Sequence, residues 1–407
     1  MMRPFVLALS CSAALGACGD ATPSDGGLDA NAQPSSDGSA SADAAPSAQD
    51  ASPSVATDAT SRAEPEPAPA PSGEVGPIEC PARPAPTLDA TGLPLLESNP
   101  GAPVALYLDF NGGTYGSSSG PRNYSGYNRP GSSSATFDAT EQADIVRSWE
   151  HVTRYYAMFD VNVTTSDDVR RASNAWGWIL VTEDASGGSA SLDGIGRNAN
   201  AKAYCGAASV RDADRSRRIA HELGHNFTLE HSGVWEGSTF FKWEDWPAWD
   251  RVYGPIMGGG GEGRRNGWAR GRHEGDPNTE QDEIRIIRDR IVAAGGRGDG
   301  WRADDFATAT PARLCASATG PTRSGVIERF GDEDSFWLDW AGGTVTIATS
   351  APEVSSAIVE GDVMQGANRL GGFDQPLSLP RGVYVLRVRS RGDYTELGAY
   401  SLRVVAQ

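Results

Sequence analysis

Aromatic residues are all but missing from the first quarter of the chain, with none between Phe5 and Tyr107. Basic residues are scarce there as well. Between Gly19 and Glu79 stand eleven carboxylates and one arginine, which supply more than half of the net charge of −18. A stretch made of Ala, Pro, Ser, Asp and Gly cannot bury enough apolar surface to offset its ordering entropy. Residues 19–99 therefore read as a disordered linker, and a flexible chain of that length reaches roughly 50 Å end to end. The apolar run after Phe5 is too short to span a bilayer as a helix. An acidic chain of this kind is a poor candidate for nucleic-acid binding. Internal repeats are absent. Cysteines are few, and beyond Cys11 and Cys18 only Cys80, Cys205 and Cys315 remain, which leaves one over in any single pairing. A Cys80–Cys315 bridge would clasp the ends of the first folded region, and Cys205 could equally take part.

What is present at the start has the order of an export signal. Arg3 supplies the positive charge, the apolar run follows, and small residues precede Cys18. Leu15-Gly16-Ala17-Cys18 resembles the lipobox of bacterial lipoproteins. That resemblance implies residues 1–18 as signal peptide, Cys18 as the lipidated new N-terminus, and membrane attachment through the lipid. Cleavage after small residues and plain secretion is the alternative. Gly19 in place of an aspartate resembles signals sorted to an outer membrane, so an outer-membrane or surface location is expected, or release to the medium.

Roughly 300 residues follow the linker, enough for two domains with proper cores. The stretch 103–110, "PVALYLDF", alternates in period two and breaks at "NGGTYG", a strand entering a turn. Residues 138–159 place Ile145, Trp149, Val152 and Tyr156 at helical spacing, with Asp138 or Thr140 able to cap the start. "DVNVTTS" and "GWILVTED" read as two more strands, and residues 193–209 as an irregular loop and edge strand. Strand, helix, strands, edge strand and a further helix make an α/β (α+β) order with one mixed sheet over residues 100–305. After residue 300 the pattern changes to short β-rich runs separated by Gly, Asp, Glu and Pro, which suggests an all-β sandwich over 312–407.

Three of the five histidines lie in "HELGHNFTLEH", residues 221–231. His221 and His225 are four apart, on one helix face, and can grip one ion. Glu222 follows His221, where its carboxylate can reach a metal-bound water without ligating the metal. His231 cannot join them on a continuing helix, because six further residues rotate it by about 120°. The chain must break near Asn226 to Leu229. The usual form of this pattern has a glycine where Thr228 stands, since glycine accepts positive φ freely. A β-branched residue there costs roughly 1–2 kcal/mol, against roughly 10 kcal/mol or more from zinc ligation in structural sites. A break at Asn226, which tolerates positive φ better, is the other possibility.

"YGPIMGGGG", 253–261, follows with Met257 in a Gly/Pro turn. His221-Glu222-Leu223-Gly224-His225, His231 and this turn together resemble the metzincin zinc peptidases. The likeness spans about Pro103 to Arg290. The runs "GDEDSFWLDWAGGTVTI" and "GAYSLRVV" are similar to the pre-peptidase C-terminal β domain that some bacterial members carry. The resemblance implies His221, His225 and His231 as zinc ligands, Glu222 as general base and Met257 as the floor of the site. Many members carry a tyrosine two residues after the methionine. Gly259 stands there, and Tyr253 is the candidate substitute as transition-state donor.

The expected function is thus a zinc endopeptidase, monomeric, cutting extracellular or surface proteins, with the substrate extended beside the 193–209 edge. Two alternatives stay open. One recruits a downstream carboxylate, Glu236 or Glu244, as third ligand in place of His231. The other is a lipid-anchored binding protein whose metal site is structural or decayed. Trp235, Trp243, Trp246, Trp249 and Trp268 crowd the loop around the methionine turn, more as packing than as a substrate pocket. Asp332, Glu333 and Asp334 could bind calcium, though an acidic turn between strands is commoner. A thiolate at Cys205 blocking the zinc is conceivable, and a disulfide or buried thiol fits an exported chain better.

Overall fold

A computed structural model of the chain describes residues 75–80, 84–117, 120–127, 136–192, 194–195, 200–206, 212–243, 253–259, 265–306, 309–352, 354–355, 357–392, 394 and 396–407. The signal segment with Cys18 lies outside them, as do Glu244, Trp246 and Trp249. The described part is a mixed α/β fold, mostly strands with four α-helices among the described residues.

The first region is built on a five-stranded mixed sheet. Its strands are β1 (Val104–Asp109), β2 (Val161–Thr164), β3 (Ala175–Thr182), β4 (Gly188–Ala190) and β5 (Asn200–Gly206). They run in the order β2-β1-β3-β5-β4. All pairings are parallel except β4 with β5, which is antiparallel. Every residue of β1 and β2 is buried, and β1 has the near-continuous apolar run expected of a parallel strand covered on both faces.

The edge strand differs from expectation. Residues 200–206 of the 193–209 segment sit inside the sheet, and the edge on that side is β4. Its sequence, Gly-Ser-Ala, has no apolar alternation to betray a strand.

Helix α1 (Ala139–Tyr155) starts at Asp138, which accepts from the Thr140 and Glu141 amides while Glu141 returns a bond to the Asp138 amide. This reciprocal capping box settles the choice between Asp138 and Thr140. A short helix α2 (Asp167–Ala172) follows β2. Helix α3 (Asp212–Asn226) lies on the sheet where Gly177 of β3 leaves room. A Cβ there would meet Leu223 Cδ2 and Asn226 Oδ1, each at 3.1 Å. Helix α4 (Glu283–Ala293) closes this region.

The C-terminal strands form two sheets. One joins β6 (Ala312–Arg313), β8 (Glu333–Trp340), β13 (Gly382–Ser390), β10 (Val359–Gln365) and β11 (Asn368–Gly372), in that order. The other joins β7 (Thr322–Ile327), β14 (Gly398–Ala406), β9 (Gly343–Ser350) and β12 (Pro376–Leu379). In β14, Gly398, Tyr400, Leu402 and Val404 are buried and alternate with partly exposed or exposed neighbours, the period-two signal read from the sequence.

The linker boundary at residue 99 needs correction. Val75 packs with Trp337, Met364 and Val385, and Leu93 and Leu96 lie in the main core. Ile78 bonds to the backbone on either side of Cys315, and Cys80 is disulfide-bonded to Cys315 with the Cα atoms 5.1 Å apart. Scattered aliphatics among prolines are diluted in a composition average, yet Val75, Leu93 and Leu96 each find a slot. The C-terminal strands thus carry a piece of chain that precedes the first region. Cys205 is a buried free thiol that burial pushes up to about 12, so it holds its proton and is not a thiolate.

Candidate metal centre

The three histidines converge. His221 and His225 sit one turn apart on α3, with Nε2 atoms 3.1 Å from each other. The His231 ring centroid lies 5.2 and 4.9 Å from theirs. One nitrogen from each ring falls within 4.8 Å of the others, so the triad could hold a metal ion.

Each ring is held from behind. His221 Nδ1 bonds the Ile256 carbonyl at 2.8 Å, His225 Nδ1 the Leu229 carbonyl at 2.6 Å, and His231 Nδ1 the Glu274 carboxylate at 2.6 Å. Carbonyl oxygens only accept, so in His221 and His225 the hydrogen belongs on Nδ1 and Nε2 presents a lone pair. Two lone pairs facing at 3.1 Å repel unless a proton or a cation lies between them. Tied-back Nδ1 atoms with converging Nε2 atoms are the support arrangement of imidazole metal ligands. The donor set therefore fits a borderline cation such as zinc.

Burial first, then the neighbouring imidazoles, lower the His225 value to about 4 and hold that of His221 well below its ordinary range. Both rings are therefore neutral and ligand-ready at neutral pH. Keeping them buried without charge costs nothing above about pH 6.5, where the unfolded chain is neutral too. The metal-free fold loses stability as pH falls from there toward 4, because the unfolded chain takes up the protons.

His231 reaches the other two because the helix breaks where the sequence requires it. Thr228 has φ +72°, so the break falls there and not at Asn226, the last residue of α3. The Leu229 amide bonds back to the Gly224 carbonyl at 3.2 Å, closing the helix end. Thr228 is also held by a distant partner. Its Oγ1 accepts from Arg290 Nε and Nη2 at 3.3 and 3.1 Å, across from α4. These bonds contribute about 1 kcal/mol, which offsets most of the strain of a β-branched residue in the left-handed region. Thr228→Gly is accordingly expected to hold or slightly raise the melting temperature. In an Arg290→Ala background the same substitution should gain about 1 kcal/mol more, since the compensating bonds are already gone. A cycle with no difference between the two backgrounds would detach Arg290 from the break.

Met257 lies in a short 3-10 turn, Ile256–Gly258, fully buried against α3. A Cβ on Gly224 would fall 2.5 Å from Met257 Sδ, so glycine between the two helix histidines is what admits the methionine. The Met257 carbonyl accepts from the Ser232 amide at 2.9 Å, which pins the residue after His231 to the turn. Ser232 Oγ donates to the buried Glu283 carboxyl, whose second oxygen accepts from the Ala269 amide at 2.7 Å. Burial pushes Glu283 up to about 8.

Glu222 is 5% exposed and sits against the sheet edge. A methyl on Gly188 of β4 would lie 2.2 Å from Glu222 Oε1, so the bare glycine backbone is what lets the carboxylate reach the edge. Ser189, the next residue of that edge, lies 3.4 Å from the Tyr115 hydroxyl. Tyr115 comes from the hairpin Gly112–Ser117 and Gly120–Ser125, and its hydroxyl is raised by burial, with Glu222 adding to the shift.

Tyr253 does not fit the role of donor at the site. Its hydroxyl donates to the Trp268 carbonyl at 2.8 Å, and Arg265 covers its ring. Its position in a two-stranded ladder with Arg265–Gly267 was not readable from the distance to Met257 along the chain. Glu236 is exposed at the end of its hairpin strand and belongs to no metal-ligating cluster among the described residues. Trp268 packs in the core against Tyr156 and Phe159, Trp235 donates to the His273 carbonyl, and Trp243 covers Gly258. These three tryptophans act as packing. The residues missed by sequence reasoning, Glu274, Glu283, Arg290 and Gly188, carry no spacing relative to the histidines that could have found them.

Set beside models of known protein families, curated proteins and solved structures, the chain has no match.

Proposed function

We propose that the chain is a zinc-dependent endopeptidase acting on extracellular or surface proteins. The observation that carries the reading is the meeting of three imidazoles, one nitrogen from each within 4.8 Å of the others and each ring tied back through Nδ1, beside a buried carboxylate that makes no part of the ligand set. A closed structural site calls for four protein ligands, and no fourth His, Cys, Asp or Glu joins this cluster among the described residues. Bound there, zinc supplies Lewis acidity toward a peptide carbonyl and a water molecule.

The chain's own residues do the rest. Glu222 takes a proton from the water and returns it to the leaving amine. Met257 and Gly224 give the ligand helix an apolar floor that excludes water from beneath. Among the described residues the edge strand β4 has no strand paired on its outer side, next to Glu222, so an extended peptide can add as a further strand with its scissile bond near that carboxylate. In this reading the two C-terminal sheets form the pre-peptidase-like β-sandwich, and Cys18 anchors the domain to a membrane through its lipid.

The test uses the full exported chain, by metal analysis after dialysis together with digestion of unstructured protein substrates. One zinc per chain is expected, with hydrolysis that a chelator abolishes and added zinc restores. Stoichiometric zinc with no peptide-bond cleavage across a broad substrate panel would leave a metal-stabilised binding protein instead.

A further inference from the structure

A second group of potential ligands lies far from the histidines in sequence and consists only of carboxylates. Asp304 and Asp305 come from the link that follows α4. Glu328 and Asp332 come from the turn between β7 and β8, and Asp334 from β8 itself. Oxygens of Asp304, Asp332 and Asp334 lie within 4.8 Å of one another, and so do those of Asp304, Asp305 and Glu328. Glu333, between Asp332 and Asp334, points to the opposite face, 3.4 Å from Arg387 Nε. The acidic run in the sequence thus contributes alternate residues, and the turn and the link supply the others.

Clustered carboxylates on a surface mean little. These are mostly buried: Glu328 is 1% exposed, Asp332 2% and Asp334 0%. Both oxygens of Glu328, Oδ1 of Asp332 and Oδ1 of Asp334 are buried with no hydrogen-bond donor. Their other contacts are modest. Asp332 Oδ2 accepts from the Glu328 amide at 3.0 Å, Asp334 Oδ2 from the Tyr400 hydroxyl, and Asp304 Oδ1 from the Phe306 amide at 3.0 Å. The cations that bear on the group are Arg302 and Arg329, and each has a partner elsewhere. Arg302 Nη2 bonds the Ser98 carbonyl at 3.4 Å, and Arg329 Nη1 lies 3.8 Å from Asp299. None of the five carboxylates has an ion-pair partner among the described residues. Burial and the neighbouring carboxylates push Asp334 up to about 10. Buried negative charges gathered without counter-charge are costly, and unpartnered buried oxygens add to that cost.

We infer that Asp304, Asp305, Glu328, Asp332 and Asp334 form a calcium site that clasps the link after α4 to the β7–β8 turn. The donors are all hard oxygens, with no imidazole or thiolate, which selects against zinc. Five carboxylates, with bidentate capacity at Glu328, approach the six to eight oxygens that calcium takes, and water completes such sets. Asp304 and Asp305 precede the C-terminal strands, and Phe306 next to them packs on Phe336 of β8 at 5.0 Å between centroids. A cation here therefore fastens the first region to the second at their covalent joint. The inference stands apart from the peptidase reading, since it uses none of the same residues.

The test is a calcium titration of the full exported chain at fixed ionic strength, with magnesium as control, followed by heat release and melting temperature. One calcium per chain is expected, with Kd between about 10⁻⁴ and 10⁻³ M as in extracellular calcium modules. The melting temperature should rise with calcium, and cleavage of the 304–311 link by an added protease should slow. Glu328→Gln keeps shape while removing one charge and is expected to weaken calcium at least about tenfold. Without calcium it should melt no lower than the parent, because like-charge repulsion is relieved. That pair of signs separates ligation from mere structural damage, and the variant keeps the acidic linker intact as a control for loose binding there. Shared protons in place of a cation would show as a parent melting temperature that ignores calcium and rises on acidification. That result, or an equal calcium response in Glu328→Gln, would overturn the site.

Discussion

Glu222→Gln is expected to keep the fold and the zinc and to lose at least about a hundredfold of peptide hydrolysis, the low end for a positioned general base. The amide is nearly isosteric with the carboxylate, so the close fit against Gly188 survives the change. Glu222 also lies outside the triad of converging nitrogens, so zinc affinity has no reason to fall. What disappears is the proton acceptor. The measurement is the hydrolysis rate of zinc-loaded variant and parent at equal metal content. A zinc-loaded Glu222→Gln chain that digests substrate as fast as the parent would sink the peptidase mechanism while leaving the metal site standing.

The second large effect concerns His231→Ala, for which most zinc affinity should vanish. Loss of supporting groups behind a metal ligand alone typically costs about 10–100-fold, and loss of a ligand costs more. His231 is also the candidate ligand whose position rests on several other features. It needs the left-handed turn at Thr228, the Ser232–Met257 backbone bond and the Glu274 carboxylate behind its ring. Glu274→Gln is expected to weaken zinc by about tenfold, the low end, because that carboxylate is 56% exposed and screened by solvent. Competition with a chromogenic chelator measures both variants. Full zinc occupancy in His231→Ala would mean that a carboxylate serves as third ligand and that the histidine is incidental.

The requirement for a break after His225 was legible because it follows from helix geometry alone: six residues of continuing helix turn His231 away from the other two. Which residue takes the positive φ was not legible. Asn226 has the better intrinsic tolerance, yet Thr228 carries φ +72° with an arginine 62 residues away bonded to its side chain. Intrinsic preference lost to a tertiary partner. The edge of the sheet shows the same limit. A three-residue Gly-Ser-Ala strand has no periodicity to read, and only pairing with Ala203–Cys205 defines it as the edge.

By its own local rules the chain determined the elements whose signal is periodic. These are the capped helix at 139–155, the buried parallel strands, the His221–His225 pair on one face and the alternating strands after residue 312. Spacing carries that information because 3.6- and 2-residue repeats fix which side chains share a face. Tertiary structure alone decided which groups stand behind and beside the site. Ile256, Leu229 and Glu274 behind the histidines, Gly188 against Glu222, and Val75 in the C-terminal core come from segments with no repeat relating them to their partners. A hydrogen-bond acceptor or a vacant Cβ position has no period. Its place is set only when separate stretches of chain pack together.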